Sequence, residues 1–286
     1  MLKLRDGIVE LYRKVATSIP KDVEEALRSA LSRETGPSMK DALSGMIRSI
    51  STARTTSCRL CEDTGFPVFF VKVPKGLSHR HVEEVIVEAT RIATRKVPLS
   101  ANAVDIITGE NTGDNVGDHF PLIYTDESEE SSLVVDLMLR GGDCESLGRT
   151  YALPALLTTG QGEQVLADRN FEGVQACVLD AVAAACGKAC PPFVLGVAIG
   201  GARDQVALLS KRQLLRRLTD IHPNALVAEA EKSIFDALNG LGGASGFDGQ
   251  TIALGVKIST AHRHPLSYLV DISFSCWTHR RGRLIW

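Results

Sequence analysis

The feature that most limits the fold is an uninterrupted apolar run, Phe193 to Ile199, stopped on one side by Cys190-Pro191-Pro192 and on the other by Gly200-Gly201. A short apolar run between turn formers reads as a buried strand. It falls far below the roughly 18 residues of a membrane span, and no other run in the chain reaches that length. A helix precedes it over Phe171 to Cys186, where Val174, Cys177, Val178, Ala181, Val182 and Ala185 share one stripe. The prolines stop that helix, because proline lacks the N–H that would continue it. After the glycines come a helix from about Asp204 to Leu218 and another from about Ala225 to Asn239. A glycine-rich loop, Gly240 to Gly249, leads to strands over Thr251 to Ile258 and about Leu266 to Phe274.

The first sixty residues read as helices. Val23, Ala26, Leu27, Ala30 and Leu31 form one stripe, and a further helix covers Ser38 to Ile50. Thr52 to Gly65 reads as a loop, and Val68 to Val73 as a strand closed by Pro74 and Gly76. Ser78 caps a helix whose inner face is Val82, Val85, Ile86, Ala89 and Ile92. Residues 98–121 form a long polar loop with Asn102, Asn111, Asp114, Asn115 and His119, a length that usually carries function. Leu133 to Arg140 alternates as a half-buried strand, ended by a Gly141-Gly142 turn. Helices and strands do not alternate regularly, so the class is α+β: a helical N-terminal region, about residues 1–57, then mixed sheets flanked by helices. No repeat or low-complexity linker divides residues 1–286, which predicts a single domain.

Composition narrows the function. A chain of 286 residues, 44% hydrophobic and 23% charged, buries a core without covalent staples. Its net charge of −2 gives no basic face for nucleic acid, and Arg280-Arg281-Gly282-Arg283 reads as a solvated terminus. The charged N-terminal segment lacks a secretory apolar stretch, so a cytoplasmic protein without membrane attachment is expected. Seven cysteines, an odd number, argue against a disulfide framework and leave metal ligation, catalysis and burial. Cys177 lies on an apolar stripe and reads as core, whereas Cys58 and Cys61 form a C-x-x-C that alone could also hold zinc.

Several motifs stand in a telling order: Cys61-Glu62-Asp63-Thr64-Gly65, Asn111-Thr112-Gly113-Asp114-Asn115, Gly141-Gly142, Ala189-Cys190-Pro191-Pro192, Val197-Ala198-Ile199-Gly200-Gly201, His264 and Cys276-Trp277. From about Pro20 to Arg281 the chain resembles the alpha subunit, or N-terminal part, of the class I iron–sulfur hydro-lyases, class I fumarase and L-tartrate dehydratase. The resemblance implies a [4Fe–4S] cluster on Cys61, Cys190 and Cys276, soft ligands suited to iron–sulfur iron. These ligands lie 129 and 86 residues apart and meet only on folding. Three thiolates leave one iron open as a Lewis acid for dehydrating a small hydroxy-dicarboxylate of the malate/fumarate or tartrate type.

The same resemblance implies His264 and Asp63 as catalytic residues and Glu62, Asn102, Gly141 and Gly142 as substrate-binding ones. It implies a beta subunit that completes the site, in an α2β2 assembly or on an alpha homodimer. Three positions depart from the family pattern: Glu62 stands where glutamine is usual, Ser100 where an arginine binds carboxylate, and Cys144 where a serine stands. A serine cannot supply a bidentate charged clamp. The alternative is therefore a non-catalytic or redox-sensing descendant that keeps the fold and the cluster or metal.

Overall fold

The computed structural model describes residues 2–158, 164–242 and 249–286. In chain order the described elements are α1 (Leu2–Thr17), α2 (Lys21–Arg33), α3 (Pro37–Thr56), β1 (Phe66–Pro74), α4 (His79–Lys96), β2 (Leu122–Ser128), β3 (Val134–Arg140), α5 (Gly142–Ser146), β4 (Arg149–Ala152), β5 (Ala155–Thr158), β6 (Gln164–Ala167), α6 (Phe171–Ala185), β7 (Phe193–Ile199), α7 (Arg203–Gln213), α8 (Ala225–Gly240), β8 (Ala253–Thr260), β9 (Leu269–Ser275) and β10 (Arg280–Ile285). This is an α+β fold that opens with three helices, as the sequence predicts. The chain packs as two compact units, Met1–Pro20 with Arg48–Gly142 and Arg280–Trp286, and Lys21–Ile47 with Asp143–His279.

The first unit is built on a sheet of order β10-β3-β1-β2, in which only the β1–β2 pair is parallel. Helices α1 and α4 supply its other core face: Leu4, Ile8 and Tyr12, with Val82, Ile86 and Ala89, pack on Phe69, Val71, Val135 and Leu137. Tyr12 is buried whole, and it pairs its hydroxyl with Thr90 Oγ1 at 2.8 Å while its ring meets Phe69 edge-on. Ser78 caps α4 as expected, accepting the N–H of His81.

Strand β3 departs from the expected half-burial, since all seven of its residues are buried. It lies between β10 and β1, and its acidic residue is neutralised: Arg283 donates to both oxygens of Asp136, at 2.7 and 2.9 Å. The basic C-terminal segment is thus strand β10, not a solvated tail. Helix α3 also runs past its expected end at Ile50 to Thr56, where Thr55 and Thr56 return their hydroxyls to the carbonyls of Ser51 and Thr52.

The second unit holds a sheet of order β4-β9-β7-β8, parallel only at β7–β8, and a separate β5–β6 hairpin. The apolar run at Phe193 is β7, buried along its full length in the middle of that sheet. Cys177, Val178 and Ala181 of α6 and Val227 and Ile234 of α8 share its core, with Phe193 edge-on to Phe274. Helix α7 ends at Gln213, short of the expected Leu218. Of the glycine-rich loop, residues 243–248 lie outside the described residues.

Candidate functional site

In the first unit the Cys61–Gly65 segment is tied by hydrogen bonds to the loop of residues 98–121. Thr64 is buried, and its Oγ1 accepts the N–H of Ser100 at 2.9 Å and the amide of Asn102 at 3.3 Å. Asn102 Nδ2 also donates to the Gly65 carbonyl at 2.6 Å, and its backbone N–H donates to Asn115 Oδ1 at 2.7 Å. Asn115 is buried at a positive φ of 57° and donates to Thr94 and to the Ser100 carbonyl. The long polar loop is therefore ordered against the cysteine segment. Both Asn102 donor contacts serve that order.

Asp63 joins the same segment to the glycine turn. Its Oδ1 accepts the N–H of Gly65 at 2.8 Å and its Oδ2 the N–H of Gly142 at 2.9 Å. A Cβ on Gly141 would sit 3.0 Å from Asp63 Oδ2, so the close approach favours glycine there. The Asp63 carbonyl accepts from Arg280 Nη2 at 2.9 Å. Glu62 is exposed and forms an ion pair with Arg59, three residues earlier in the same loop.

In the second unit His264 lies exposed in the turn between β8 and β9. Its Nδ1 accepts the N–H of Leu266 at 3.1 Å, which in the neutral ring places the proton on Nε2. Two arginines brace this turn. Arg263 donates to the carbonyls of His264, Pro265 and Ser267 and lies over the Tyr268 ring. Arg169 reaches the carbonyls of Pro265 and Leu266 while donating to Leu153. Neither arginine stands out in the sequence, because their work is on backbone carbonyls.

The cysteines divide by environment. Cys190 and Cys58 are exposed, Cys61, Cys186 and Cys276 half-buried, and Cys144 and Cys177 buried. Burial, then the nearby Asp180 charge, push the Cys177 thiol up to about 12, so it is core rather than ligand. Cys276 Sγ lies 3.0 Å from Thr278 Oγ1. Among the described residues no three His, Cys, Asp or Glu side chains gather as a metal ligand set. Cys61 belongs to the first unit, and Cys190 and Cys276 to the second. The donors themselves fit an iron–sulfur group: each is a thiol in a segment outside helix and strand, and each is reached by solvent. Arg280, which donates to the Asp63 carbonyl, also has two buried donors without acceptors among the described residues.

The model of one protein family, described as fumarate hydratase, matches residues 5–284. The chain belongs to that family. A fumarate hydratase family protein of Geobacillus stearothermophilus, named as a class I fumarate hydratase, is 37% identical over 283 residues, 98% of this chain and 54% of its own length. The chain thus spans about half of that relative. Two relatives of matching size carry the name L(+)-tartrate dehydratase subunit alpha. That of Methanocaldococcus jannaschii is 34% identical over 98% of this chain and 96% of its own. That of Escherichia coli is 31% identical over 99% and 90%. Among the described residues no helix is long and apolar enough to cross a membrane.

Proposed function

We propose that this chain is the cluster-binding alpha part of a hydro-lyase that reversibly dehydrates a small hydroxy-dicarboxylate of the malate/fumarate or tartrate type. The observation that carries the reading is near-full-length similarity to two alpha subunits of tartrate dehydratase and to half of a fumarate hydratase. In this reading residues 1–286 work as one functional domain in the cytoplasm. A beta subunit completes the site, in an α2β2 assembly or on an alpha homodimer.

Dehydration breaks a C–O bond and a C–H bond on adjacent carbons, leaving a C=C bond and water. Cys61, Cys190 and Cys276 hold the [4Fe–4S] cluster. When bound, the cluster supplies a Lewis-acidic iron to the leaving hydroxyl. His264, with Nδ1 committed to Leu266, presents Nε2–H as a donor to a substrate oxygen. Asp63 acts by orientation, since both of its oxygens accept backbone N–H groups of the site loops. Glu62, Asn102, Gly141 and Gly142 line the substrate side. The Arg59 guanidinium offsets the Glu62 charge that would otherwise repel a dicarboxylate.

Anaerobic reconstitution tests the reading. The chain is expected to bind about four irons and four sulfides, and to turn over fumarate, malate or tartrate only with its partner. Cys61→Ser, Cys190→Ser and Cys276→Ser each lose iron, while Cys58→Ser keeps it. Zinc without sulfide refutes the cluster. Full turnover by the lone chain refutes the subunit claim. A loaded complex that dehydrates none of these acids leaves the non-catalytic alternative.

A further inference from the structure

Several cations among the described residues are paired with carboxylates. Arg216 meets Asp220 and Glu231, and Lys257 meets Asp220. Arg283, three residues beyond Arg280, holds Asp136. Arg280 has no such carboxylate partner among the described residues. It is 3% exposed, and its Nη2 donates to a neutral carbonyl, that of Asp63. Its Nε and Nη1 are buried with no hydrogen-bond acceptor among the described residues. The Asp63 carboxylate oxygens accept the N–H groups of Gly65 and Gly142 rather than these donors. A buried guanidinium without an anion is costly and persists where something compensates it.

The position of this charge is informative. Asp63, whose carbonyl Arg280 grips, lies two residues after Cys61, and Arg280 itself lies four residues after Cys276. The two free donors are closed to solvent, which disfavours an exchanging substrate as their anion. A resident group suits them better. Three thiolates on a cubane form such a group, and its negative charge is felt through a low-dielectric interior without direct contact.

We propose that Arg280 is the standing counter-charge of the cluster site: a buried guanidinium that anchors the Cys61 segment through the Asp63 carbonyl and offsets the negative charge of the thiolate-bound cluster. This is a positioning and electrostatic role, and it rests on the cluster reading above. Its signature is the cluster's reduction potential. Reduction adds negative charge, so a nearby cation favours the reduced form.

The test is potentiometry, followed by electron paramagnetic resonance, on the full chain reconstituted anaerobically as wild type, Arg280→Lys and Arg280→Gln. The expected result is that Arg280→Gln lowers the reduced-to-oxidised ratio at a fixed applied potential about tenfold, which is about 59 mV for one electron. Arg280→Lys stays near wild type. An unchanged ratio in Arg280→Gln, or an equal fall in both variants, overturns the proposal. If Arg280→Gln fails to fold or load, Arg280→Lys decides alone: a wild-type potential supports the proposal and a tenfold fall overturns it. A wild-type chain that takes up no cluster removes the parent reading instead, so the two failures are distinct.

Discussion

Asp63 commits both carboxylate oxygens to backbone N–H groups on either side of the site, Gly65 and Gly142. Asp63→Asn keeps one acceptor and turns the other into a donor facing an N–H. The expected loss is about 1 kcal/mol of stability, with faster hydrogen exchange at Gly142, read by denaturant midpoint and by NMR. Gly65→Ala should be harsher. Gly65 sits at φ +74°, and an added Cβ would meet the Arg140 carbonyl well inside contact distance. A loss of at least about 2 kcal/mol is expected in the same measurement. The Asp63-Thr64-Gly65 string was legible as part of a loop in the sequence, because aspartate and glycine have local reasons to be there. What was not legible is that Thr64, Asn102 and Asn115 form one hydrogen-bonded staple, since its bonded partners lie up to 38 residues apart. Arg280 was misread as a solvated residue for the same reason: charge in a sequence marks a surface until a long-range partner is known.

Elements with a strong period were readable and elements without one were not. Helices α4, α6 and α8 and strand β7 fall close to the expected bounds, because each carries a continuous apolar stripe or run. Strand β2 was missed. It is a sheet edge with half-exposed residues and no alternation. The four-residue strands β4, β5 and β6 are too short to show a period. The turn between β8 and β9 carries the next prediction. It has little apolar anchorage, and its shape depends on Arg169 and Arg263 gripping its carbonyls. Arg263→Ala is expected to raise hydrogen exchange at Leu266 and Ser267 about tenfold with global stability changed by less than about 1 kcal/mol. Under the proposed role of His264, a fall in kcat of the reconstituted enzyme is expected alongside it, because the ring loses its fixed setting. Unchanged local exchange would show that the turn holds itself.

At the scale of the molecule, both compact units are discontinuous in sequence, which no local pattern reveals. The second unit illustrates what closes such a unit. Glu34, after α2, accepts the N–H groups of Thr35 and Gly36 beside it and those of Gln250 and Thr251, together with the Thr251 hydroxyl. One carboxylate thus ties the α2–α3 corner to the segment entering β8, more than 200 positions later. Burial alone would raise its pKa, but the hydrogen bonds from Gly36, Gln250 and Thr251 outweigh it and hold the carboxyl below the ordinary value of 4.5. The sign of the pH dependence follows. A depressed folded pKa means that the charged form is favoured by folding, so the stabilisation is complete above the unfolded-state value and is lost as pH falls through the folded one. Glu34→Gln, which retains one acceptor oxygen and cannot ionise, should lower stability by about 1–3 kcal/mol at neutral pH, from N–H groups left poorly satisfied. The gap between the two proteins should hold constant from pH 7 down to the ordinary glutamate range and narrow steadily below it. Paired denaturant titrations across pH 3 to 7 measure this. A gap that stays constant to the lowest pH would mean that the charge on Glu34 does not fasten the two segments, and that packing of α2 against β8 closes the unit instead.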